Sequence, residues 1–113
     1  ANIGRQDQTA LTAATWTLLI GTYNGNAAVT GVDIYVNGAV LDDADSSGGS
    51  YTAMEDLTAV VSLGHTLSAA ASPAAEEFWV GNMALVALVD GDLDVDQVWA
   101  LKALVNAFFD LAL

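Results

Sequence analysis

The chain has no cysteine. Its fold therefore cannot depend on disulfides, and thiol chemistry and Cys-based zinc sites are excluded. Cations are almost as scarce: Arg5 and Lys102 stand against 14 acidic residues, a formal net charge of −12. With no basic patch to displace counterions, the chain repels nucleic acid and anionic membranes, so neither is expected as a partner. The only histidine, His65, cannot build a histidine zinc site and offers no Ser-His-Asp spacing; it reads as a surface residue at a strand end. No apolar run approaches the roughly 20 residues that a membrane-spanning helix needs. The opening stretch ANIGRQDQTA lacks the apolar core of a signal peptide.

What remains is an apolar, acidic chain. Hydrophobic residues make up 54% of its 113 residues and charged ones 14%, which sets it apart from disordered compositions. That length fits one domain with a modest core. The acidic balance keeps so apolar a chain dispersed, and it suits salty water, where repulsion is screened.

Along the chain, Trp16 to Tyr23 (WTLLIGTY) is rich in β-formers, and Asn24-Gly25-Asn26 carries turn chemistry. In Gly31 to Leu41, Val32, Ile34 and Val36 alternate with Asp33 and Tyr35, a period of two that predicts a strand. The valine–isoleucine face is expected inward and Tyr35 outward. Asn37-Gly38 predicts a tight turn with Ala39 to Leu41 returning. Asp42 to Ser50 reads as a polar loop, Tyr51 to Met54 and Ala59 to Leu63 as short strands, and Ser68 to Glu77, with the only proline, Pro73, as a loop. In Met83 to Val89 both alternating faces are apolar, the mark of a strand covered on both sides.

A C-terminal helix, residues 94–113, is the clearest element. Asp94 is a good N-cap, Gln97 lies three residues on, and Leu93 and Val98 occupy the staple positions. Its expected buried stripe is Val98, Leu101, Leu104, Val105, Phe108 and Leu111, with Lys102, Asn106 and Asp110 on the opposite, polar face around Trp99. Strands first, one terminal helix and no βαβ alternation predict an all-β fold: an antiparallel β-sandwich, jelly-roll-like and reduced in size, closed by that helix.

The order of these pieces resembles the C-terminal half of a laminin-G-like domain, of the concanavalin A-like lectin/glucanase superfamily. A Trp-led strand ends in Tyr and a turn (Trp16 to Gly25). The pattern IYVNG follows (Ile34 to Gly38), then a short strand ending in Gly (Val60 to Gly64). An aromatic, a Gly and a β-run come next (Phe78 to Val89), and a loop leucine opens the closing helix (Leu93 to Leu104). The resemblance covers residues 15–113 as one sandwich domain. Residues 1–14 are left as an arm or edge strand. Strands that precede Trp16 in the family are missing, so either residues 1–14 supply one edge strand of a reduced sandwich or another chain is expected to supply the rest. Short acidic domains of this type are similar to those of bacteriophage head-decoration and tail proteins. The resemblance thus implies a virion-surface or extracellular protein whose partners are copies of itself or a capsid or tail protein, with glycan binding as the alternative.

No enzyme chemistry is expected. Glycoside hydrolysis needs two carboxylates flanking the bond, and the pairs Glu76-Glu77 and Glu55-Asp56 are adjacent, so they diverge on a strand. Asp90, Asp92, Asp94 and Asp96 alternate in the manner of a calcium loop, yet Val95 stands where an EF-hand needs Gly and Leu101 where it needs Glu. Asp42, Asp43 and Asp45 form a second acidic loop. No cofactor is expected, and calcium at either loop is the weaker reading. For glycan contact the candidates are Tyr23, Asn24, Tyr35 and Asn37, rings that stack on sugars beside amides that bond hydroxyls. For a protein interface they are Trp99, Lys102 and Asn106, because a Trp amid polar helix positions marks a contact surface.

Overall fold

A computed structural model of the chain describes residues 2–41, 44–53, 63, 66–67, 75–76 and 79–113. Two compact units divide it: Ala1–Ala53 with Val89–Leu113, and Met54–Leu88.

Among its described residues the first unit holds five short strands in two small antiparallel sheets, one turn of 3-10 helix (Val29–Gly31) and one α-helix. Strands β2 (Leu19–Tyr23), β3 (Val32–Val36) and β4 (Ala39–Val40) form a meander. The Asn37-Gly38 turn joins β3 to β4, with Val36 opposite Ala39. Both turn residues have positive φ, 52° and 87°, as a two-residue hairpin of the I′ kind demands and as Asn-Gly most readily supplies. Between β2 and β3, Leu19 faces Val36 and Tyr23 faces Val32. Strand β1 (Arg5–Gln6) pairs with β5 (Ala44–Asp45), Arg5 opposite Asp45, and an isolated bridge joins Asn2 to Gly48. The N-terminal arm thus lies along the polar segment after β4, which sequence alone marked as loop. Asp45 Oδ1 accepts from Ser47 N–H at 2.7 Å, and hydrogen bonding to Ser47, with Arg5 nearby, holds its carboxyl below the usual carboxylate range.

Helix α1 (Val95–Phe109) starts where the capping chemistry predicts. Asp94 accepts from Gln97 N–H at 2.8 Å and the Gln97 side chain accepts from Asp94 N–H at 2.9 Å, a complete capping box. The helix ends at Phe109 rather than Leu113. Asp110 turns left-handed, φ 53°, and both its N–H and that of Leu111 donate to the Asn106 carbonyl. The Asn106 side chain then accepts from Leu113 N–H at 3.1 Å, which draws the last residues back along the helix.

The expected all-β sandwich is not what forms. Among the described residues no second sheet packs on the meander as a sandwich layer; the strands are two to five residues long, and the longest element is the 15-residue helix. The sandwich needed Met83 to Val89 as a strand covered on both faces. Residues 79–89 instead form neither helix nor strand, and all of them are exposed. An unbroken apolar run specifies no period, so it does not by itself select a strand, and Gly81 and Gly91 near its ends take φ of 146° and 115°, outside the strand region. In the second unit, β6 (Thr66–Leu67) pairs antiparallel with β7 (Ala75–Glu76). Tyr51 to Ala53 form no strand, and the rest of the two short strands expected over residues 51–63, apart from Leu63, lies outside the described residues, as do His65, Glu55, Asp56, Glu77 and Pro73.

The covered face of the meander is also the reverse of the one expected. Tyr35 is only 5% exposed, and Thr22, on the same face, is buried, whereas Val32, Ile34 and Val36 are half-buried. Alternation shows which residues share a face; it does not show which face is covered. Thr22 Oγ1 is buried with no hydrogen-bond partner among the described residues.

Candidate interaction surface

Helix α1 separates into two faces. At about 100° per residue, the inward side carries Val98, Leu101, Lys102, Val105, Asn106 and Phe109. Val98 is 0% exposed, and Val105 is buried. The outward side carries Ala100, Ala103, Leu104, Ala107 and Phe108, all exposed, with Leu104 at 64% and Phe108 at 79%. Two of the six residues of the expected stripe, Leu104 and Phe108, are therefore turned to solvent, while two residues expected on the polar face, Lys102 and Asn106, are turned in.

The reason lies in Lys102 and Asn106. Gly38, at the tip of the β3–β4 turn, is buried, and a Cβ placed on it would stand 3.1 Å from Lys102 Cδ and 3.6 Å from the Trp99 ring. The turn therefore sits on the Trp99–Lys102 edge of the helix, against the aliphatic stem of Lys102. A lysine can bury its stem and keep its amine wet. Here Lys102 Nζ lies 4.7 Å from the Trp99 ring centroid, a cation–π contact. Asn106 is half-buried because the C-terminal residues use both its carbonyl and its side chain. With the Lys102 amine lying over the Trp99 ring and Asn106 Oδ1 bonded to Leu113 N–H, that side of the helix can face inward.

The three interface candidates thus belong to the internal architecture of the first unit. Trp99, 50% exposed, keeps part of its ring in solvent; Lys102 and Asn106 are half-buried.

The glycan candidates are similarly engaged. Asn37 N–H donates to the Leu18 carbonyl at 2.9 Å and its Oδ1 accepts from Leu18 N–H at 2.9 Å, prolonging the β2–β3 ladder with a side chain. Asn24 Oδ1 accepts from Asn26 N–H at 3.0 Å, and Tyr23 Oη accepts from Ala27 N–H at 2.9 Å, so both shape the β2–β3 loop. Tyr51 lies against Tyr23: desolvation first, and then the hydrogen bond to Tyr23, push its phenol above the ordinary value. Tyr35, expected outward, is buried in the meander. The four residues do not form a common open platform.

Among the described residues no three His, Cys, Asp or Glu side chains come together to hold a metal ion. In the alternating aspartate run, Asp94 caps α1 and Asp96 lies in its first turn, where the helix dipole favours a carboxylate. Asp42 and Asp43 lie outside the described residues, and Asp45 is paired as above. No helix among the described residues is long and apolar enough to cross a membrane.

Compared with known proteins, the chain matches no family model, no curated protein and no solved structure.

The outward stripe of α1 is the feature that sequence reasoning missed. A signal for it was present: Lys102 is the only charge between Val98 and Phe109. A helix so nearly apolar all round must either be enclosed or show an apolar face to something else.

Proposed function

We propose that this chain is a non-catalytic structural and interaction module that works through protein–protein contact. The observation that carries the reading is the outward face of α1. Ala100, Ala103, Leu104, Ala107 and Phe108 recur at the i, i+3, i+4, i+7 and i+8 spacing with which a helix anchors into a partner, and Leu104 and Phe108 stand mostly in solvent. A folded unit keeps two large apolar side chains side by side on a capped helix at a cost in solubility, which the acidic remainder of the chain offsets. A repeated surface such as that of a virus particle is the setting we propose, where a small acidic protein is held through an apolar contact while its net charge of −12 opposes self-association.

The test is sedimentation of the purified chain with particles or complexes recovered from its own source. Wild type is expected to saturate at fixed stoichiometry, and Leu104→Glu/Phe108→Glu is expected not to bind while melting normally. Absence of wild-type binding at every salt concentration refutes the reading.

A further inference from the structure

We infer that the partner received by the outward face of α1 is an apolar helical surface with cationic groups at both ends, and not a second copy of this chain. The inference rests on the protein-contact reading above and adds the chemistry of what is contacted.

Three observations lead to it. The apolar stripe runs from Ala100 to Phe108 and is bracketed by carboxylates, with Asp96 exposed in the first turn and Asp110 exposed at the C-cap. At about 1.5 Å per residue these two charges stand about 20 Å apart along the axis. The one cation of the helix, Lys102, is on the other side, half-buried with its amine over Trp99, and so offers nothing to a partner on this face. The pattern presented is therefore negative, apolar, negative.

A second copy fits that pattern badly. In a parallel pair Asp96 meets Asp96 and Asp110 meets Asp110; in an antiparallel pair Asp96 meets Asp110. Either way a carboxylate opposes a carboxylate at each end, between chains that each carry a net charge of −12. Nor is the area sufficient to override this. The stripe offers on the order of 400 Å², about half of the roughly 800 Å² per partner in a standard interface. A contact this small depends on its charged ends for orientation and for rate of encounter. A partner helix with an apolar middle and Lys or Arg at each end, about 20 Å apart, turns both repulsions into attractions.

The experiment uses the full chain and two synthetic 18-residue helical peptides. Both carry the same leucine–alanine face; one has Arg near each end and the other has Glu. Binding is followed by amide chemical shifts at low salt. The Arg-ended peptide is expected to bind about three- to tenfold more tightly, the yield of two exposed charge pairs. The preference should disappear in 1 M salt and fall in Asp96→Asn/Asp110→Asn; Asn is chosen at 110 because it tolerates the left-handed cap. Shifts should map to Ala100, Ala103, Leu104, Ala107 and Phe108, and Leu104→Glu/Phe108→Glu should lose them. Equal affinity for the two peptides overturns the cationic partner while leaving the face a contact surface. Concentration-dependent dimerisation that Leu104→Glu abolishes overturns it in favour of a second copy, again with the face intact. If the double glutamate variant changes no association at all, the inference and the reading beneath it both fall.

Discussion

Replacing Gly38 with alanine tests the central contact of the first unit, the seating of the β3–β4 turn on α1. Two costs are separable. The backbone cost comes from φ of 87°, which alanine avoids; a left-handed L-residue costs about 1–2 kcal/mol, less the several tenths that alanine recovers by restricting the unfolded chain. The steric cost comes from a Cβ 3.1 Å from Lys102 Cδ; that stem is flexible and can move by a few tenths of an ångström, while the Trp99 ring atoms at 3.6 Å are at ordinary contact distance. The expected total is about 1–1.5 kcal/mol, most of it from the backbone, or roughly 4–12 °C in Tm for a unit of this size. Urea denaturation followed by circular dichroism measures it, with two companions. Gly38→Asn keeps a Cβ but tolerates the left-handed region, so it should cost less than alanine. Gly38→Ala in a Lys102→Ala background removes the tight contact and should keep most of the loss, the part that comes from the backbone. A neutral Gly38→Ala, or a loss that vanishes with Lys102, would refute the account of this turn.

Thr22 Oγ1 is buried without a partner among the described residues, so the isosteric Thr22→Val should stabilise the chain by about 1 kcal/mol, read from the same urea curves; destabilisation would mean that the hydroxyl is satisfied. Asp94→Ala removes the acceptor of the capping box and should cost about 1 kcal/mol with a drop in helical signal, whereas Asp94→Asn should cost only a fraction of that. Asp45 is a group whose carboxyl titrates lower in the folded chain than in the unfolded one. The unfolded chain then binds more protons in that window, so this contribution is present above the usual carboxylate range and is lost as pH falls through the lowered value. Wild type should lose part of its advantage over Asp45→Asn as pH falls below about 4; a difference in Tm that does not change with that fall would refute it.

The parts of the fold that could be read in advance are those that one or two residues determine locally. Asn37-Gly38 specifies its hairpin because both central residues must take positive φ. Asp94 and Gln97 specify the helix start because they satisfy each other's backbone donors. What could not be read depends on which surfaces meet. The alternation in β3 identified two faces but not the covered one, and Tyr35 proved to be inside. Lys102 and Asn106 are solvent-facing by residue type, yet the Lys102 stem lies against the Gly38 turn with its amine over the Trp99 ring, and Asn106 Oδ1 accepts from Leu113 N–H. Because polarity was assigned to whole side chains rather than to their tips, the stripe of α1 was placed too far toward Leu104 and Phe108. The same displacement of the stripe makes Leu104 and Phe108, core by spacing alone, the candidate contact surface that the helix presents.

Trp99 and Leu104 now make opposite demands on an experiment. Both are large, apolar and at least half exposed on the same helix. Trp99, however, touches the Gly38 turn and holds the Lys102 amine, so Trp99→Ala should cost about 1–2 kcal/mol of stability, combining part of an aromatic's burial with a cation–π contact. Any loss of binding in that variant would be confounded by loss of fold. Leu104 borders solvent, so Leu104→Glu should leave Tm within about 2–4 °C of wild type, in line with surface substitutions of around 0.5 kcal/mol. A surface used for contact should therefore separate the two variants: Leu104→Glu abolishes binding at unchanged stability, and Trp99→Ala lowers stability with binding reduced only as far as the folded fraction falls. If instead Trp99→Ala abolishes binding in chains that remain folded while Leu104→Glu binds normally, the contact surface is the Trp99 edge and the outward stripe is not used.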